Sequence, residues 1–170
     1  MASVKYKGTG VVGSGDFKTV KYEGVTKAGK PIIITLTKAI NKGDIDWSMV
    51  EKDDTVAQVV FEGCYENTDE MLSDPTEPWT IEMENVTAAA GNIMIGVGKF
   101  YIDNQLIALT RGGGSFNTGR TYRDINADGD RGTVEGRVVM DEARPTLTLN
   151  ALTILNNFTK LYSAVDVVTP

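Results

Sequence analysis

Histidine is absent from this chain of 170 residues, and cysteine occurs once. The first absence removes Ser-His-Asp and Cys-His catalysis, histidine proton shuttling and nearly every common zinc or iron site. The second leaves Cys64 with no internal disulfide partner, so it reads as a small strand hydrophobe rather than a reactive thiol. No apolar run approaches the ~18 residues of a membrane-spanning helix, and no membrane partner is expected. Met1-Ala2-Ser3-Val4-Lys5-Tyr6 carries no charged segment followed by an apolar stretch, so no signal peptide and a cytoplasmic start are expected. Positive charge is short as well: 17 Lys and Arg face 23 Asp and Glu, a net charge of -6. Gripping nucleic acid requires clustered cations that neutralise phosphates, which this balance disfavours. The clusters are acidic instead, at 51–54 and 66–77, and read as solvated loops.

What is present is a globular composition, 41% hydrophobic and 24% charged, with no linker-like stretch; one domain over 1–170 is expected. A chain of this length buries about 70% of the surface exposed by its unfolded form. Alternation is the dominant period. Pro31-Ile32-Ile33-Ile34-Thr35-Leu36 is a β-branched run whose leading proline suits a strand start. Ile45, Trp47 and Met49 alternate with polar residues, and Ala57, Val59, Phe61 and Tyr65 share a face beyond the 51–54 turn, which predicts a hairpin. A polar loop over 67–78 precedes a short strand at 79–83. A second hairpin is predicted from 92–102, a tight turn at Asp103-Asn104, and 105–110. Further strands are expected at 119–123, 133–140 and 145–149, with Arg111-Gly112-Gly113-Gly114 as a turn between elements. Helical spacing occurs once, at Leu152, Leu155, Phe158, Leu161 and Tyr162, with Asn150 as N-cap; a helix of about 14 residues would span about 20 Å. The pattern predicts a mainly β fold, an antiparallel β-sandwich of eight to ten strands with one packed α-helix.

Two glycine-rich strings carry no nucleotide chemistry. Gly8-Thr9-Gly10-Val11-Val12-Gly13 has dinucleotide-loop spacing, but Ser14-Gly15-Asp16 follows instead of a helix. The turn after Arg111 lacks the Gly-Lys-Ser/Thr ending of a phosphate loop. A third string is sharper. Residues 124–135 place Asp124, Asn126 and Asp128 at positions 1, 3 and 5 of a calcium loop, Gly129 at position 6 and Glu135 at position 12, with Asp130 between. The flanks look extended rather than helical, and Arg131 adds positive charge where a divalent ion would sit. A polar hairpin or interface loop is therefore the expected role, with a calcium-stabilised β-sandwich binding module as the alternative. No enzyme is expected: carboxylate-only catalysis of the glycosidase kind would need an aromatic-lined cleft pattern that is missing.

The same stretch, from Tyr122-Arg123-Asp124 through Asp128-Gly129-Asp130-Arg131-Gly132-Thr133-Val134-Glu135-Gly136-Arg137 and on to Pro145-Thr146-Leu147-Thr148-Leu149-Asn150-Ala151-Leu152, resembles the major tail (tail tube) proteins of long-tailed bacteriophages. Residues 91–104 and 107–114 resemble that family's opening hairpin, and 38–62 its closing strands, so the parts stand in a circularly permuted order around the small-residue stretch 84–91. Exposed, neighbouring termini tolerate such rotation. The resemblance implies a structural virion protein that needs no cofactor. Its copies would form hexameric rings stacked into a conduit, in contact with other phage tail proteins, and viral DNA would pass without specific binding. It would be made in the host cytoplasm and end in the virion tail. An acidic surface suits sliding DNA, because it repels phosphate. Trp47, Met49 and Phe61 on the first hairpin, and Asp124, Asp128 and Arg131 on the acidic loop, are the expected subunit contacts.

Overall fold

The computed structural model describes residues 5–45, 57–66, 76–84, 94–128, 131–152 and 158–168. Eleven strands and one short helix run in the order β1 (Lys5–Gly8), β2 (Lys18–Thr26), β3 (Pro31–Asn41), β4 (Ala57–Gly63), β5 (Trp79–Met83), β6 (Met94–Ile102), β7 (Gln105–Asn117), β8 (Arg120–Asp124), β9 (Val138–Ala143), β10 (Thr146–Ala151), α1 (Phe158–Leu161) and β11 (Val165–Val168). The mainly β, antiparallel expectation holds. In place of two facing sheets, however, one sheet in the order β2-β6-β7-β10-β4-β3 curls until β3 pairs with β2, closing a six-stranded barrel. Closure follows from β3. One edge of this strand meets β2 from Pro31 to Ala39, while its other edge carries β5 along Ile32–Leu36 and β4 along Ala39–Asn41.

Alternation supplies the interior. Val20 and Tyr22 of β2, Ile32, Ile34 and Leu36 of β3, and Ala57, Val59 and Phe61 of β4 all point inward, as do Leu147 and Leu149 of β10. In β3 the inward phase slips between Leu36 and Ala39, where the pairing with β2 shifts register; such a bulge bends a strand and helps a sheet to coil. β4 and β6 lie opposite one another in the cycle, and the Phe61 and Phe100 rings meet across the barrel at 5.8 Å between centroids. The interior is thus a packed core. Tyr22 lies flat against β6, so that a Cβ at Gly98 would stand 2.4 Å from its ring; only glycine permits that approach. Thr110 seals the same place, its hydroxyl bonding both the amide and the carbonyl of Gly98.

Several local expectations change. The Asp103-Asn104 turn is present, with φ of 48° and 61°, the double positive φ of a type I′ hairpin. Arg111 to Gly114 is no turn between elements: β7 runs through it, and Gly112 and Gly113 at positive φ form a bulge that absorbs the shift against β10. Asn150 is no N-cap but a β10 residue paired with Gln58, and the described helix is the single turn Phe158–Leu161. Residues 153–157 of the expected helix, Leu155 among them, lie outside the described residues. The strand expected over 133–140 starts only at Val138. β2 and the terminal ribbon, in which Lys5 of β1 pairs with Val168 of β11, were not legible in the pattern. Trp47 and Met49 lie outside the described residues.

The helix closes one mouth of the barrel. Leu161 and Tyr162 are buried, and Asn41 Nδ2 donates to the Leu161 carbonyl while its Oδ1 accepts from the Gly43 amide. Lys18 Nζ donates to the carbonyls of Thr159 and Lys160, at 2.9 and 3.3 Å, satisfying acceptors that a helix end leaves open. Thr9 then donates to the Ala164 carbonyl and Asp16 accepts from the Ala164 amide, so the first and last described segments are neighbours.

Phe61→Ala removes one half of the cross-barrel pair, and we expect it to lower unfolding free energy by about 3–5 kcal/mol. Urea denaturation followed by circular dichroism measures this; a loss below about 1 kcal/mol would show that the pair does not carry the core.

Candidate assembly surfaces

Barrel closure occupies edges of strands from both predicted hairpins. β4 has β10 on one side and β3 on the other, and the second half of β6 lies between β2 and β7. Phe61, expected as a subunit contact, is only 2% exposed and belongs to the core. Its alternation with Gln58 and Glu62 correctly separates a wet face from a dry one, but the dry face is the barrel's own interior.

The unsatisfied surface lies outside the barrel. β8 and β9 form a separate two-stranded sheet, every residue of β8 is exposed, and β9 is exposed from Val138 to Glu142. Tyr122 pairs with Met140, 59% and 41% exposed, and Val138 and Val139 follow beside them. Arg123 grips Asp141 with two parallel bonds, Nε to Oδ2 at 3.0 Å and Nη2 to Oδ1 at 3.1 Å, which stiffens the ribbon. The base is anchored where Arg120 meets Glu77 at 2.7 Å and lies over the Trp79 ring. An isolated two-stranded ribbon is marginal in water, and a contiguous exposed apolar face marks a contact surface. These apolar residues were not among the expected subunit contacts, because alternation within a strand does not say whether a face meets a core or water.

The acidic string joins β8 to β9. Asp124, Asn126, Asp128, Arg131 and Glu135 all lie on this exposed connection, so the structure brings four of the candidate calcium ligands onto one loop; Asp130 is outside the described residues. Asp124 accepts a hydrogen bond from the Thr133 hydroxyl at 3.0 Å, and Ile125 donates to the Arg137 carbonyl at 2.8 Å. Both flanks are non-helical, and among the described residues no cluster of three or more acidic or thiol side chains is poised around a common point.

A polar cavity of about 510 Å³ lies beside Lys18, Lys38, Cys64, Glu66, Glu77 and Asp103. Its charges are largely occupied. Lys38 pairs with Glu66 at 3.1 Å, and Lys18 is spent on the helix end, where burial lowers its pKa despite Asp103 and Asp16 nearby. Burial raises the Cys64 thiol, which favours the unreactive protonated form. Burial alone would raise the Glu77 carboxyl, but donors from Arg120 and from Trp79 Nε1 outweigh it and hold the group below the ordinary value.

Two outcomes follow. Because the folded Glu77 pKa lies below the unfolded one, its contribution is complete above the ordinary glutamate value of about 4.3 and is lost as pH falls from there through the folded pKa. Glu77→Gln should therefore flatten the acid limb of melting temperature against pH, and an unchanged limb would contradict the Arg120–Glu77 anchor. For the loop, a native-state ligand at about 100 times its Kd contributes about 2.7 kcal/mol. Millimolar calcium is expected to move the melting temperature by less than about 2 °C; a larger rise that disappears in Asp124→Ala would establish a calcium site.

No protein-family model, curated protein or solved structure matches this chain.

Proposed function

We propose that this chain is a tail-tube-like structural subunit, whose copies assemble into stacked rings that form the DNA conduit of a phage tail. The exposed apolar β8–β9 ribbon carries this reading, since a closed barrel bearing an unsupported ribbon with Tyr122, Val138, Val139 and Met140 in water needs a partner surface. The resemblance of 122–137 and 145–152 to tail tube proteins supports further copies of the chain as that partner. Charge agrees with the role: at -6 the subunit repels phosphate, so DNA slides through the conduit instead of sticking. The barrel interior is filled by Phe61 and Phe100, so the conduit runs between subunits and not through one. Within a ring a head-to-tail contact closes on itself, whereas stacking continues without limit.

Negative-stain imaging across protein and salt concentration is the test. Rings or hollow tubes are expected at high concentration and more readily in added salt, which screens the repulsion between like-charged copies. Tyr122→Asp with Met140→Asp should abolish assembly and leave the circular dichroism of the monomer unchanged. A wild-type chain that stays monomeric throughout would overturn the proposal.

A further inference from the structure

Among the described residues β5 is hydrogen-bonded to β3 alone, and its second edge has no strand beside it. This edge is poorly protected. It has no proline or lysine between Trp79 and Met83, and Ile81 and Met83 are exposed. Unpaired amides and carbonyls on such an edge template the addition of another strand. Beside it an apolar cavity of about 350 Å³ opens between Ile81 and Met83 of β5, Phe116 of β7 and Leu147 of β10.

Among the described residues the outer edge of β8 is likewise unpaired, for there β8 bonds only to β9. The two edges match in three respects. Both strands have five residues. β8 carries Arg123, shared with Asp141 of its own ribbon, whereas β5 carries Glu82, so opposite charges face one another when the edges join. The Tyr122–Met140 face of the ribbon supplies the apolar groups that the cavity beside Ile81 and Met83 exposes. Joining two β5 edges is worse, since it brings together strands that carry the acidic Glu82 and no cation. Within one copy only the base of β8 approaches β5, through Arg120 at Glu77 and Trp79.

We propose that β8 of one copy adds to the free edge of β5 in the next, with the Tyr122–Met140 face of its ribbon covering the apolar cavity. The proposal rests on the self-assembly reading and names the two surfaces that meet. The contact is heterologous, each copy offering a ribbon at one surface and receiving one at another, which is the arrangement that builds rings.

Disulfide trapping tests it in a Cys64→Ser background. One preparation carries Glu82→Cys and another Arg123→Cys; they are mixed under assembling conditions and oxidised mildly. A covalent dimer is expected in the mixture and not in either preparation alone, and Ile81→Asp, placed at an exposed position, should eliminate both the dimer and the rings. If wild-type rings form but the mixture yields no dimer and Ile81→Asp assembles normally, the β5–β8 contact is wrong while the tube reading survives. If the wild type forms no assembly at all, both fall.

Discussion

The contact between Phe61 and Phe100 across the barrel is the interaction on which the rest of the molecule depends. Strands opposite one another in a six-membered cycle can be held at a fixed separation only if their side chains fill the space between them, and two phenyl rings do so here. Tyr22 seated on Gly98 and Thr110 bonded to the same glycine complete the wall between β2, β6 and β7. With the interior filled, β3 can carry a strand on both edges and the sheet has a closed circumference.

Closure also dictates where association can occur. A barrel satisfies its own backbone groups, so whatever joins one copy to another must involve strands outside the cycle. Among the described residues five strands lie outside it, in three units: the terminal ribbon of β1 and β11, the ribbon of β8 and β9, and β5 on the flank of β3. The second combines full exposure with aromatic and aliphatic groups, and its stiffness comes from the Arg123–Asp141 pair rather than from packing. Surface ion pairs contribute little to global stability. Here the geometry matters more than the energy, because a ribbon held in one shape loses less conformational freedom when it docks.

Charge then limits what the surface can hold. Acidic residues outnumber basic ones, and several of the basic groups are bound in place: Lys18 at the end of α1, Arg120 at Glu77, Arg123 at Asp141 and Lys38 at Glu66. A surface with few uncommitted cations has little with which to hold a phosphate backbone.

The sequence by itself determined the β class, the dry face of β4, the Asp103-Asn104 turn and the absence of histidine chemistry. Each of these is local: a period of two, a pair of turn residues, or a missing side chain leaves its mark within a few positions. Alternation states that one face of a strand is buried without stating against what. Only the tertiary structure decided that Phe61 faces its own barrel and not a neighbour, that Asn150 pairs with Gln58 instead of capping a helix, and that Tyr122 and Met140 stand in water. Those outcomes hinge on pairings between residues distant along the chain, such as Leu147 with Phe61 and Lys5 with Val168. Such pairings depend on which edges remain open after the core has formed, and that is a property of the closed sheet rather than of any segment within it.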